Sequence, residues 1–176
     1  MNHSQEPTML DSPTHQRRRT LQMLALGLAT AITTGPAALA AQPAPTPIEV
    51  WKDPNCGCCK DWIALMEQAG FSATVHDSGN NAVRARLGLP VRLGSCHTAL
   101  VAGYLVEGHV PPADVRKLLQ QKPRALGIAV PGMPIGSPGM DGPAYGGRKD
   151  LFDVLLVIKT GPGSDVTTRV FSAYRG

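Results

Sequence analysis

Four cysteines carry the chemistry that this sequence suggests. Three of them, Cys56, Cys58 and Cys59, fall within four positions, and Cys96 follows later in the chain. Cys56 and Cys59 have the C-x-x-C spacing, which suits both a disulfide and a two-thiolate metal site. Disulfides from Cys58 to either neighbour would be strained, so at least one thiol is left over unless Cys96 pairs with it. This density of sulfur predicts thiolate chemistry.

The residues around the cluster favour the thiolate over the thiol. Asp53-Pro54-Asn55 has the composition of a turn that ends a strand, and a helical pattern follows it. Sulfurs at the start of a helix lie near free backbone N–H groups and the positive end of the helix dipole. Lys52 and Lys60 add positive charge, and Gly57 lets the backbone turn several sulfurs toward one point.

Three hypotheses follow from the cluster. The first is a soft-metal site, because thiolates select Cu(I), zinc or iron–sulfur clusters. The second is a thiol–disulfide oxidoreductase that uses Cys56 and Cys59. The third is a pair of disulfides that hold the loop in place. The cluster favours the metal site and leaves the other two open.

Further candidates lie later in the chain. Cys96, just before a predicted strand, is a candidate fourth sulfur ligand. His97 and His109 are candidate ligands or neighbours of the site, although each is also explained as an ordinary loop residue or as the residue before a helix. Met133 and Met140 lie in a Gly/Pro-rich segment; thioethers suit Cu(I), and methionines also fill gaps as soft hydrophobes.

The hydrophobic pattern predicts the elements that position these residues. Strands are predicted at Ile48–Trp51 and Phe71–His76, and a hairpin at 98–101 with 104–106. Helices are predicted at Cys59–Ala69, Asn80–Leu87 and 112–121. Residues 127–147 show no hydrophobic period, which predicts a long irregular loop. A closing pair of strands is predicted for residues 152–158 and 167–173. The order β-α-β-α-β-β-α predicts the α/β class, as a thioredoxin-like single domain. Trp51 is expected to shield the cluster from water.

The first forty residues have the features of a secretory signal peptide. Arg17–Arg19 precede an apolar stretch from Leu21 to Ile32, and Ala38-Leu39-Ala40 forms a small-x-small end. The apolar stretch is shorter than the roughly 20 residues that span a bilayer, which argues against an uncleaved anchor. We therefore expect a signal peptide at 1–40, a flexible lead-in at 41–47 and a thioredoxin-like metal-binding domain at 48–176. This predicts a periplasmic protein that meets the membrane only during export, by general secretion or the twin-arginine route.

The charge argues against a nucleic-acid partner. The chain has a formal net charge of +4, and 14 basic and 11 acidic residues remain without the leader, a net charge of +3. The basic residues are scattered and form no stripe interleaved with aromatic residues, which a nucleic-acid reader is expected to show.

Four motifs in this order resemble the CopG family of periplasmic copper-resistance proteins. They are Trp51–Lys60, Ser95–Val101, Glu107–Pro111 and Val130–Met140, and the resemblance extends from about Ile48 to Tyr174. It implies a thioredoxin-like fold, copper ligation by Cys56, Cys58, Cys59 and Cys96, more than one copper ion in a thiolate-bridged cluster, and a role in copper redox interconversion.

The sequence thus predicts a periplasmic protein that holds Cu(I) in copper resistance, and that either lowers the free ion concentration or passes the ion to other copper-export or copper-resistance components. One alternative is an oxidoreductase of protein disulfides or of copper itself. Another is a structural zinc or disulfide module that binds a protein partner. Because the periplasm oxidises thiols, disulfide formation would release the metal and reduction would restore the site.

Overall fold

The computed structural model describes residues 44–163 and 165–175. The predicted signal peptide at 1–40 and the start of the lead-in lie outside these residues. The elements are β1 (Thr46–Lys52), α1 (Gly57–Gln68), β2 (Phe71–His76), α2 (Asn81–Leu87), β3 (His97–Val101), β4 (Tyr104–Glu107), α3 (Pro112–Gln121), β5 (Gly127–Ala129), β6 (Phe152–Lys159) and β7 (Val166–Tyr174). Short 3-10 helices cover Val91–Leu93 and Pro143–Tyr145.

The seven strands form one mixed sheet in the order β2-β1-β3-β4-β5-β6-β7. β1 is parallel to β2 and β4 is parallel to β5, whereas the other neighbouring pairs are antiparallel. The pairing of β1 with β3 places Lys52 opposite His97. The turn and the helix start that follow β1 therefore lie beside the loop that precedes β3, and these segments carry all four cysteines.

Side-chain alternation along the strands builds a core on each face of the sheet. Val106 and Leu156 pack in one cluster with Trp62 and Met66 of α1 and Leu118 of α3. Their strand neighbours point the other way and pack with the segment that follows α2, in a cluster of Leu89, Leu93, Leu105, Ala129 and Val157. Complete burial of a side chain such as Leu118 is worth roughly 1.5–3 kcal/mol, so the sheet is stabilised from both sides.

The α/β single domain is confirmed, and the elements up to α3 follow the predicted order. The hairpin is also confirmed: Ala102 and Gly103 both have positive φ, 48° and 84°, as a two-residue type I′ turn requires. The thioredoxin-like assignment stays a prediction. Among the described residues, no helix has the length and apolar character to cross a membrane.

Two boundaries differ from the sequence pattern. α1 begins at Gly57 rather than at Cys59, so Cys58 as well as Cys59 lies in its first turn. The prediction of an irregular loop over 127–147 is wrong at its start, where Gly127–Ala129 forms the buried strand β5. A strand of three residues is too short to show a period. Gly127 is required there because a Cβ atom would lie 1.8 Å from the carbonyl oxygen of Leu105.

Candidate metal centre

The fold brings the four cysteines together as one thiol cluster, defined by Cys56, Cys58, Cys59 and Cys96. Cys56 is the N-cap residue of α1, and Cys58 and Cys59 lie in the first turn of that helix. Cys96 arrives from the loop before β3. Their four Sγ atoms all lie within 4.8 Å of one another.

Within the thiol cluster, Cys56 and Cys59 form a disulfide, and Cys58 and Cys96 are free thiols. The Cys58 Sγ lies 3.5 Å from the Cys56 Sγ and 3.9 Å from the Cys96 Sγ. Disulfide sulfurs carry no proton, so the Cys58 S–H is the donor in the contact with Cys56. Ligation of a metal by all four sulfurs therefore requires two electrons and two protons, which convert the disulfide into two thiols.

The spacing of the sulfurs fits a shared metal ion once the disulfide is reduced. Metal–thiolate bonds of about 2.3 Å, the value for zinc, place two sulfurs on one ion at most about 4.6 Å apart. The Cys58 Sγ lies within that span of both the Cys56 Sγ, at 3.5 Å, and the Cys96 Sγ, at 3.9 Å. Cys59 is buried, and the other three sulfur-bearing residues are partly exposed, so an ion can reach the cluster from solvent.

Two buried histidines flank the Cys96 sulfur. His109 donates from Nδ1 to the Pro138 carbonyl at 2.8 Å, which leaves the lone pair of Nε2 facing the Cys96 Sγ at 3.0 Å. His97 Nδ1 lies 3.4 Å from the same sulfur. The His97 Nε2 is buried and has no hydrogen-bond partner within the described part of the chain. The Cys96 sulfur, one ring nitrogen of His97 and one ring nitrogen of His109 all lie within 4.8 Å of one another.

Burial sets the protonation states around Cys96. Burial lowers the pKa of His97 well below its ordinary value, and the nearby His109 lowers it further. Burial also lowers the pKa of His109, although the Pro138 carbonyl and Asp141 act to raise it. Burial, together with the neighbouring Cys58, raises the pKa of Cys96 to about 12. Without metal, Cys96 is therefore a thiol beside two neutral imidazoles, and metal binding must displace its proton.

Trp62 is the aromatic side chain beside these histidines. It is fully buried, its ring centroid lies 4.3 Å from that of His97, and its Nε1 donates to the Val110 carbonyl at 2.8 Å. Trp51, which the sequence placed in a shielding role, stacks on His76 at 4.8 Å instead. Trp62 belongs to the predicted helix Cys59–Ala69, but its contact with His97 joins distant segments and leaves no local pattern in the sequence.

The two methionines of the Gly/Pro-rich segment have different surroundings. Met140 is 8% exposed, and its Sδ accepts a hydrogen bond from the Tyr145 hydroxyl at 3.2 Å. Met133 is 53% exposed. The segment lies directly on the start of α1, since a Cβ atom on Gly139 would be 2.7 Å from the Cys58 carbonyl oxygen.

Comparison with known proteins identifies the family. A sequence profile described as "Protein of unknown function, DUF411" matches residues 93–140, and no curated protein matches the chain. A solved structure named copper resistance protein CopG, form 2, is 44% identical, with a TM-score of 0.66 over 74% of this chain and 99% of that one. Form 1 is also 44% identical, with a TM-score of 0.65 over 75% of this chain and 99% of that one.

The chain belongs to the CopG family. The resemblance seen in the motifs is therefore confirmed. Membership in a family named for copper resistance, together with a cysteine cluster that could bind metal, supports a copper-related function.

In this CopG-family chain, a buried carboxylate holds the loop that carries Cys96. Glu107 at the end of β4 is fully buried. Its oxygens accept hydrogen bonds from the Arg84 Nε at 2.9 Å, the Ser95 backbone N–H at 2.7 Å and the Thr98 hydroxyl at 2.5 Å. Burial raises the pKa of Glu107, while these three donors act to lower it.

The other backbone group of Ser95 is held as well. Its carbonyl accepts hydrogen bonds from the Arg84 guanidinium at 2.7 Å and from the Asn80 side-chain amide at 3.1 Å. The residue before Cys96 is thus fixed at both its N–H and its C=O. Sequence reasoning missed this network because Arg84 and Glu107 are residue types that usually lie in solvent. The only sequence signal was that Glu107 opens one of the CopG-like motifs.

Replacing Glu107 by Gln should destabilise the protein strongly. The substitution leaves the buried Arg84 without a counter-charge and turns an acceptor into a donor facing other donors. Loss of one partner of a buried pair costs about 3–5 kcal/mol, which urea unfolding would measure. Glu49→Gln is the matched control, because Glu49 is exposed and its contact with His76 is 3.4 Å; it should cost about 1 kcal/mol or less. Equal effects of the two variants would contradict the role of Glu107.

The buried histidines predict a loss of stability in mild acid for the metal-free, oxidised protein. Because their folded pKa values lie below the ordinary 6.5, the unfolded chain takes up protons first as the pH falls. The stability present above pH 6.5 should decline below it, by up to about 1.4 kcal/mol per pH unit for each histidine. Urea unfolding between about pH 7.5 and 5.5 measures this slope. His109→Gln should flatten it; a slope identical to that of the unchanged protein would contradict the argument.

Proposed function

We propose that this chain is an exported copper-binding protein that holds Cu(I) through Cys56, Cys58, Cys59 and Cys96. The observation that carries the proposal is the placement of four sulfurs within 4.8 Å of one another in a chain of the CopG family. Thiolates are soft ligands, and Cu(I) is the soft ion among the metals that such a set selects. The residues present therefore fit copper as cargo.

Two ligand groups that share Cys96 support binding of more than one ion. The first is the thiol cluster, and the second consists of Cys96, His97 and His109. A thiolate has lone pairs for two metals, so Cys96 is suited to bridge an ion held by cysteines and an ion held by the histidine pair. The neutral His109 Nε2, which faces the Cys96 sulfur at 3.0 Å, is the histidine atom best prepared for ligation. Met140 is a packing residue in this proposal, since its thioether lies against Tyr145.

The proposal includes export to the periplasm by the leader at 1–40, and transfer of the copper to other copper-export or copper-resistance components. An oxidising compartment is consistent with the Cys56–Cys59 disulfide, because thiols without metal are oxidised there. Reduction would then precede copper loading.

Cys58→Ser should sharply reduce the copper bound per chain. Cys58 is not part of the disulfide, so the variant removes a ligand and leaves the C-x-x-C pair intact. Metal content and the count of free thiols, measured after anaerobic loading with copper under reducing conditions, test this. Met140→Leu is the control and should bind as much copper as the unchanged protein. Unchanged stoichiometry in Cys58→Ser would refute the four-sulfur site.

The second candidate function is a copper or disulfide oxidoreductase, which the Cys56–Cys59 disulfide favours. A substrate dithiol that reduces this disulfide loses two electrons and two protons and becomes a disulfide itself. With copper as the oxidant, the two thiols close the disulfide again and release two protons, and their two electrons convert two Cu(II) ions into two Cu(I) ions. The free Cys58 thiol, 3.5 Å from the Cys56 sulfur, lies in position for disulfide exchange.

Turnover separates the two functions. With an excess of Cu(II) and a dithiol electron donor, an oxidoreductase should consume many equivalents of donor per chain, because Cys56 and Cys59 are reoxidised in each cycle. A binding protein should stop at its copper stoichiometry. The background is measured with the variant that carries both Cys56→Ser and Cys59→Ser. Consumption no faster than this background would exclude the oxidoreductase.

A further inference from the structure

A surface depression of about 380 Å³ opens beside the Cys96 sulfur. Its lining includes Val91, Gly94, Ser95, Cys96, Gly132 and Met133. Of the thiol cluster, Cys96 alone lines it. We call this feature the Met133 depression. It connects solvent with the cysteine that the two metal-ligand groups share.

The rim of the Met133 depression carries apolar side chains that the fold does not bury. Met133 is 53% exposed and Val91 is 84% exposed. By contrast, Met66 is completely buried in the core and Met140 is 8% exposed. Packing therefore explains the position of Met66 and Met140 but not that of Met133, whose thioether lies at the surface.

Hydrogen bonds hold Met133 at this rim. The Ser95 hydroxyl donates to the Gly132 carbonyl, and the Gly132 N–H donates to the Gly94 carbonyl at 3.0 Å. These bonds join the residue before Met133 to the two residues before Cys96. Since Glu107 and Arg84 fix Ser95 from the interior, the thioether and the Cys96 thiol belong to segments that are tied together.

We propose that Cu(I) reaches and leaves the thiol cluster through the Met133 depression, and that the Met133 thioether is the first protein ligand of the incoming ion. This inference rests on the proposed copper-binding function. The step is a ligand exchange without change of oxidation state: the donor complex releases Cu(I) to the Met133 Sδ, and that bond breaks as the Cys96 sulfur binds the ion. The Cys96 proton leaves to solvent in the same exchange.

A thioether suits this position for two reasons. It is a neutral, soft ligand, so it binds Cu(I) without losing a proton, unlike Cys96. It also cannot form a disulfide, so an oxidising compartment does not close this route by pairing it with a neighbouring thiol. A single thioether binds weakly, which is what a ligand that passes the ion on requires.

Met133→Leu tests the proposal, because leucine keeps the apolar volume and removes the sulfur. The rate of copper transfer from Cu(I)–bicinchoninate to the reduced protein is followed by the loss of the colour of the complex. Protein concentrations are chosen so that the rate rises linearly with them. The expected result is a rate about tenfold lower than that of the unchanged protein, with copper stoichiometry and affinity at equilibrium preserved. Met140→Leu is the matched control and should change neither quantity.

Three results would overturn the proposal. The first is a Met133→Leu rate equal to that of the unchanged protein. The second is a loss of equilibrium affinity in Met133→Leu that accounts for the slower rate, which would make Met133 a permanent ligand. The third is an unchanged protein that binds no copper when reduced, which would refute the copper-binding function itself and is recognised before any variant is made.

Discussion

The hydrogen bond that the Ser95 backbone N–H donates to the buried Glu107 carboxylate is the constraint on which the site depends. Cys96 lies at the end of a loop, and a loop alone would not keep its sulfur within 4.8 Å of three others on a different element. Glu107 is anchored at the end of β4, inside the sheet, and it transmits that rigidity to the loop through the Ser95 N–H. Arg84 supplies both the counter-charge of the carboxylate and a bond to the Ser95 carbonyl.

The same burial that makes this support firm also determines how the site handles protons. A buried carboxylate is retained only because three donors, one of them the Arg84 guanidinium, compensate the loss of hydration. Cys96 has no comparable compensation, and burial therefore keeps its proton on the sulfur. The histidines beside it remain neutral for the same reason. Without metal, Cys96 and the two histidines thus form an uncharged group of soft and borderline ligands.

The sequence predicted those parts of the molecule that local pattern controls. The cysteine spacing and the hairpin at Ala102-Gly103 are properties of a few adjacent residues, and both could be predicted from them. The proximity of Cys96 to the other cysteines followed from the order of strands and the resemblance. The strand β5 was missed because three residues show no period, and the Glu107–Arg84 pair was missed because burial of a charge depends on distant segments. The contrast between Met133 and Met140 is likewise absent from the sequence, since both lie in similar Gly/Pro surroundings.

Charge gives independent support to the proposal that the reduced site holds more than one copper ion. Four thiolates carry four negative charges, and one Cu(I) would leave three of them in a partly buried space. Buried cations on the surrounding elements do not supply the balance: Arg84 is paired with Glu107, and the Lys52 Nζ lies 2.5 Å from Asp77. Lys52 therefore does not provide the free positive charge that its position in the sequence indicated. Additional Cu(I) ions, with the neutral imidazoles of His97 and His109 as further ligands, reduce the net negative charge of the site without adding negative groups. A site without copper reduces its negative charge in another way, by keeping protons on the thiols or by closing the Cys56–Cys59 disulfide.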